Sequence, residues 1–422
     1  MRISAVLCLC AALCVPALCQ QSPCPSGFHP EGYESANPNH PYACQPNQTQ
    51  AMPSTEAPSR LASWQPKFEL DNELFPSFVL TMSGRTLNAP INAHYFGDPL
   101  GMAEVVIRPL VPNASAHVEI QIEGLTRLSA LDVALPEAGQ QYTVAPLLRY
   151  DYSRLAAIEQ SMPATVTYSV RVNGADLGTQ TQSIRVRSVN DVPYEAVIDG
   201  KAQDFSFLFA GYVNESHPFV QTVLQEALHW HAVNSFFGYQ GTPDDVRMQV
   251  FAVWNVLQRH HLHYSSITTA SAASPTNHVQ SQAVRFIDQS IDSQQANCVD
   301  GSVLFASVLY KIGIEPILVM KPGHMFLGYY LDRTHKHLEF LETTMLGSEH
   351  QPGAMNISFS PVLHPVQSSE SWQQFAHALQ YATNAFNQEV LPALQQHRPL
   401  YRVIEITKAR QKGVNAIPRP VN

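Results

Sequence analysis

The chain predicts an α+β fold, an antiparallel β-sandwich followed by a domain of helices and sheet. Three observations predict it. Residues 67–198 hold short β-rich runs separated by turns, and two of these runs alternate apolar and polar residues. From Asp199 the apolar residues recur at three- and four-residue spacing, the period of a helix buried on one face. Gln294 to Thr344 then sets a cysteine at the head of an apolar helix, with two strand-like runs after it. At 422 residues, 45% hydrophobic and 14% charged, the chain has room for two or three domains and a sizeable core. Its net charge of -9 and pI near 6.0 leave no basic stripe to follow phosphates, which argues against nucleic acid as a partner.

Met1-Arg2 and the apolar run Ile3 to Leu18 read as the n- and h-regions of a secretory signal, too short to span a membrane stably. Ala17 and Cys19 fit a cleavage site, so residues 1–19 are expected to be removed and the protein to be secreted or periplasmic. The rival reading is a lipoprotein acylated at Cys19, disfavoured by the bulky Leu18 before it. Cleavage removes Cys8, Cys10, Cys14 and Cys19 of the seven cysteines and leaves Cys24, Cys44 and Cys298. Cys24 and Cys44 flank a Pro/Gly/Asn-rich segment with no apolar face, which one bridge would serve well. Cys298 is then the free thiol. Residues 20–66 are accordingly a disulfide-clipped segment and a Pro/Ser/Gln-rich linker, QPNQTQAMPSTEAPSRLASWQP.

In residues 67–198, strands are expected at Ser77 to Met82, Met102 to Arg108, Ala116 to Ile122, Ala164 to Val172 and Gln180 to Arg187. Val118, Ile120 and Ile122 alternate with polar neighbours, as do Val166, Tyr168, Val170 and Val172, so each run buries one face. Asn173-Gly174 follows as a hairpin turn signal. No cluster of catalytic residue types lies within this region, which reads as a structural or ligand-presenting module.

Residues 199–422 form the second expected domain. Helices are expected over Phe219 to Phe237 and Asp244 to His260, the latter begun by Thr242-Pro243 and two acids. A long helix over Glu370 to Gln396 and a strand over Leu400 to Thr407 close the chain. Histidine clusters at His260-His261-Leu262-His263 and His335-Lys336-His337 come without Cys or carboxylate partners at metal-ligand spacing. They read as solvated or locally bonded, and no metal or other cofactor is expected.

Cys298 precedes Val303, Leu304, Phe305, Val308, Leu309 and Ile312, a run that Gly313 ends. The thiol therefore sits in a helix's first turn, where unpaired N–H groups favour thiolate and can cradle an oxyanion. Asn297 suits the cap and Asp300 the first turn. His324 follows the turn Pro322-Gly323 at the start of a strand, and Glu342 is expected within the next strand, EFLETT. Antiparallel pairing would bring Cys298, His324 and Glu342 to one sheet end as nucleophile, base and orienting acid. Taken singly, each has a plainer reading: a buried thiol, a turn histidine, a solvent-facing glutamate.

The run NCVDGSVLFASVLYKIGIEPILVMKPGHMFLGYYL, followed by LETT, resembles the transglutaminase-like superfamily of papain-type cysteine enzymes. SQAVRFID upstream and VIEITKARQKGVNAIP at the close resemble segments flanking this core in bacterial exported members. The resemblance spans about residues 240 to 420 and is strongest from Ala296 to Thr344. It implies a transglutaminase-like domain with a triad of Cys298, His324 and Glu342, the acid being Glu where many members carry Asp. Asp332 is a weaker candidate for the acid, and Gln282, Gln294 and Gln295 are amides that could serve an oxyanion hole. The implied activity is hydrolysis or acyl transfer at amide bonds of peptide or protein substrates through a Cys298 thioester. The alternative is a non-catalytic binding or assembly protein that retains the fold. Neither reading carries a signal for an oligomeric state.

Overall fold

The computed structural model describes residues 28–30, 44–46, 61–84, 93–198, 200–265, 278–347 and 369–418. Two compact units comprise residues 1–58 and 59–422. In the first, Phe28–Pro30 pairs antiparallel with Cys44–Pro46. The expected signal, Cys24 and the Cys44 side chain lie outside the described residues, and so does the expected bridge.

The second unit mixes helix and sheet, an α+β fold. Its first half holds a five-stranded sheet ordered Glu73–Leu74, Ala175–Val186, Met162–Val172, Ala114–Ile122 and Ser129–Leu135. A four-stranded sheet is ordered Ala62–Phe68, Ala103–Pro109, Tyr142–Ala145 and Tyr95–Gly97. The two alternating runs pair with each other: Val118 opposes Val170, Ile120 opposes Tyr168 and Ile122 opposes Val166. All six are fully buried, so the expected dry face is a set of cross-strand apolar pairs. Val105, Ile107 and Val144 of the other sheet join the same core. The Asn173-Gly174 hairpin forms, both residues having positive φ, as a tight turn between twisted strands requires.

Several boundaries differ from the sequence expectation. Ser77 to Met82 belongs to a helix, Pro76–Thr81, not a strand. All six residues are buried, so no alternation distinguishes helix from strand, and Pro76 presets the first helical φ. The strand Ala62–Phe68 begins inside the expected linker. It is an edge strand, where Pro66 withholds no ladder bond that the sheet needs. The sheets are not wholly antiparallel, because Glu73–Leu74 and Tyr95–Gly97 each pair parallel to their neighbours.

The expected boundary at residue 198 runs through a shared sheet. Asp191–Ile198 pairs with Lys201–Asp204 on one side and Val279–Ala283 on the other. Buried Arg187 reinforces this junction, its guanidinium 3.0 Å from Asp191 and 3.3 Å from Glu73. No helix among the described residues is long and apolar enough to cross a membrane.

The candidate site rests on a four-stranded antiparallel sheet ordered Leu338–Leu341, His324–Tyr330, Pro316–Lys321 and Arg402–Glu405. Leu318, Leu327 and Leu341 join the main core with the helix Cys298–Lys311. Ile317, Val319, Phe326 and Phe340 form a second cluster with Ala382 and Val390 of the closing helical segment. Both faces are thereby covered. That segment is broken: Glu370–Ala385 is α-helical, Phe386–Val390 is a π turn, and Leu391–Gln395 resumes the helix. Pro392 cannot donate an i→i−4 bond and its ring crowds the preceding turn, which accounts for the interruption. The closing strand is Arg402–Glu405, and Ile406 already starts a helix. The first expected helix is Pro218–His229; it stops well before Phe237, with His231 in the left-handed region just beyond. Thr242 caps Pro243–Arg259 through a reciprocal box with Asp245.

Candidate active site

The helix Cys298–Lys311 opens with a capping box. Asn297 Oδ1 accepts the N–H groups of Val299 and Asp300 at 2.8 and 2.9 Å, and Asp300 Oδ2 accepts the N–H of Asn297 at 2.9 Å. The box occupies two first-turn donors and does not engage the N–H of Cys298. Asp300 also accepts from Arg285, at 2.7 Å from its backbone N–H and 3.3 Å from its guanidinium. Burial raises the Asp300 carboxyl above the ordinary range, against the pull of these bonds, so its role is to fix the helix start.

Cys298 is a free thiol at the first helical position and is partly exposed. His324 begins the next strand but one, after the turn at Gly323. Glu342 lies one residue beyond the strand Leu338–Leu341, not inside it, and caps the short turn Thr343–Met345. The pair Leu327 and Leu341 sets the register, which carried onward puts Glu342 beside the His324 end of its neighbour. His324 Nε2 stands 2.7 Å from Glu342 Oε2. The Cys298 side chain lies near enough to the imidazole to raise its pKa, so all three sequence-predicted residues come together. The extra methylene of Glu over Asp is thus accommodated in a normal hydrogen bond.

Exposure rises from acid to base: the Glu342 side chain is 2% exposed and that of His324 is 24%. Burial opposes charge on His324, but the interactions of the nearby Cys298 and of the hydrogen-bonded Glu342 outweigh it and raise the imidazole pKa to about 10. A cationic imidazole beside a thiol favours thiolate, and a cationic imidazole can also give a proton to a leaving amine.

Several supporting residues carried no signal strong enough to be named from sequence. Thr344 donates its backbone N–H at 3.1 Å and its hydroxyl at 2.7 Å to Glu342 Oε1, leaving Oε2 for the histidine. Thr343 lies against the cysteine helix, its hydroxyl 3.4 Å from that of Ser302, which itself donates to the Cys298 carbonyl at 2.7 Å. A Cβ on Gly301 would meet Thr343 Oγ1 at 2.8 Å, so glycine is what lets helix and turn approach. Tyr264 pairs opposite Ala296, two residues before Cys298. Burial, then the negative charges of Cys298 and Glu342, raise its phenol above the ordinary value. The motif LETT and the glycine at Gly301 were the available hints to Thr344 and Thr343.

The other candidates have separate local roles. Asp332 accepts from the Thr334 hydroxyl, from His337 Nδ1 at 2.8 Å and from the Thr334 backbone N–H at 2.8 Å, bonds that hold its carboxyl below the usual range. Gln282 donates to the Ala283 carbonyl, Gln294 ends the preceding helix in a left-handed conformation, and Gln295 pairs with His263. In the histidine clusters, His260 bonds Glu226 at 2.8 Å and His335 bonds Glu315 at 3.1 Å. No family model, no curated protein and no solved structure matches the chain.

Proposed function

We propose that the protein is an exported transglutaminase-like cysteine hydrolase or acyltransferase acting on amide bonds of peptide or protein substrates. The observation that carries this reading is the convergence of Cys298, His324 and Glu342, with the histidine bonded to Glu342 and influenced by the nearby Cys298 side chain. In the proposed reaction the Cys298 sulfur attacks the amide carbonyl carbon, and the oxyanion of the tetrahedral adduct is met by the Cys298 N–H, which the capping box leaves unengaged. The imidazolium of His324 gives its proton to the departing nitrogen as the C–N bond breaks, leaving a thioester. Neutral His324 then takes a proton from incoming water or amine, whose oxygen or nitrogen displaces the sulfur to give acid or a new amide. Glu342 orients the ring and stabilises its charged form throughout.

An activated acyl donor tests the reading directly. p-Nitrophenyl acetate should give a burst of p-nitrophenol and a hydroxylamine-labile acetyl group on Cys298. An equal burst from Cys298→Ala, or no acylation of the wild-type thiol, would sink the proposal and favour a binding protein that keeps the fold.

A further inference from the structure

The β-rich half contains a cavity of about 920 Å³ whose lining includes none of the candidate active-site residues. Small-ligand sites commonly occupy roughly 300–1,000 Å³. Phe78, Val79, Met102, Leu125 and Leu148 line it and are buried, whereas Leu147 and Tyr152 line it while 60% and 45% exposed. Large apolar side chains left in water at the mouth of a partly apolar cavity mark a surface that gains by being covered.

Its polar lining narrows the occupant. Arg127 and Arg149 both line the cavity, both are exposed, and they stand directly opposite one another on a two-residue antiparallel ladder. Like charges in that position repel, and an anion between them would turn the repulsion into attraction. The carboxylates of the same lining are engaged by local donors. Asp151 accepts from Ser153 Oγ at 2.6 Å and Arg154 N–H at 3.0 Å, and Asp98 accepts from Leu100 N–H at 3.0 Å. Tyr150 also lines the cavity, and its buried hydroxyl has no hydrogen-bond partner among the described residues. Burial raises this phenol's pKa, which keeps it a neutral donor.

We propose that this cavity binds a single-chain amphiphile with an anionic head, the chain lying among Phe78, Val79, Met102, Leu125 and Leu148 and the head between Arg127 and Arg149. The Tyr150 hydroxyl donates to an oxygen of the same ligand. This site is independent of the thiol chemistry.

Calorimetric titration of the full chain with dodecanoate below its micellar concentration tests the proposal, with dodecanol as the uncharged control. The expected result is saturable one-to-one binding of dodecanoate. The exposed double change Arg127→Gln/Arg149→Gln should weaken it about tenfold, as loss of a charge-assisted contact does, and leave dodecanol unaffected. Leu147→Glu, also at an exposed position, should weaken dodecanoate more than dodecanol. Absence of saturable binding by the wild type, or equal affinity in all three proteins, overturns the proposal. Attachment to phosphatidylglycerol vesicles without uptake of monomeric dodecanoate also overturns it, by assigning the arginines to a membrane surface.

Discussion

His324 Nε2 lies 2.7 Å from Glu342 Oε2, and the glutamate side chain is 2% exposed. This bond joins the start of one strand to the first residue past the end of its antiparallel neighbour. Because the carboxylate is almost fully buried, its charge is poorly screened by water and acts mainly on the imidazole.

Glu342→Gln should therefore lower the His324 pKa from about 10 toward the ordinary histidine value, visible in its NMR titration. A pKa raised in the folded state stabilises fully below the unfolded value, near about 6.5, and that stabilisation is lost as pH rises through about 10. Urea unfolding across this interval should show a falling wild-type stability and a flatter profile for Glu342→Gln. The variant should be less stable by on the order of 2 kcal/mol at neutral pH. Identical slopes in the two proteins would contradict the pairing.

Thr344→Val removes one donor to Glu342 Oε1 while keeping the side-chain shape, and leaves the backbone donor in place. A loss of about 1 kcal/mol is expected in urea unfolding. The freed carboxylate should also orient His324 less firmly, so thiol alkylation slows several-fold.

Gly301→Ala places a methyl 2.8 Å from Thr343 Oγ1 at a buried helix-to-turn contact. Thr343 is 3% exposed and β-branched, so it has little room to yield. The expected cost is about 1–3 kcal/mol. Thr343→Ala in the same chain should recover much of it, and failure of that rescue would place the strain elsewhere.

Asn297→Ala removes the acceptor for two first-turn N–H groups. A stability loss of about 1 kcal/mol is expected, with Asn297→Asp retaining most of the wild-type value. Thermal or urea midpoints of the two variants separate this capping role from a role in chemistry.

The parts of the structure that were legible in the sequence are those where one physical signal dominates. Asn297, the apolar stripe and Gly313 bound the cysteine helix on both sides, and Lys311 is its last residue as the glycine implied. The alternating runs around Val118 and Val170 showed their dry faces for the same reason. Pro76–Thr81 was not legible, because a segment buried on every side has no periodic contrast. The short edge strands, such as Tyr95–Gly97 and Lys201–Asp204, owe their pairing to distant partners, not to their own composition. In the site, residue types with strong chemistry stood out, whereas Thr343 and Thr344 act through contacts that only the folded register creates.

In the proposed mechanism His324 activates the Cys298 thiol. The most direct measurement of this activation is the rate of iodoacetamide alkylation at Cys298 near neutral pH, followed by intact mass and peptide mapping, for the wild type and His324→Ala. Cys298 should be labelled selectively in the native protein, at a rate at least about tenfold higher than in His324→Ala. A native thiol that resists labelling, or equal rates in the two proteins, would contradict the mechanism.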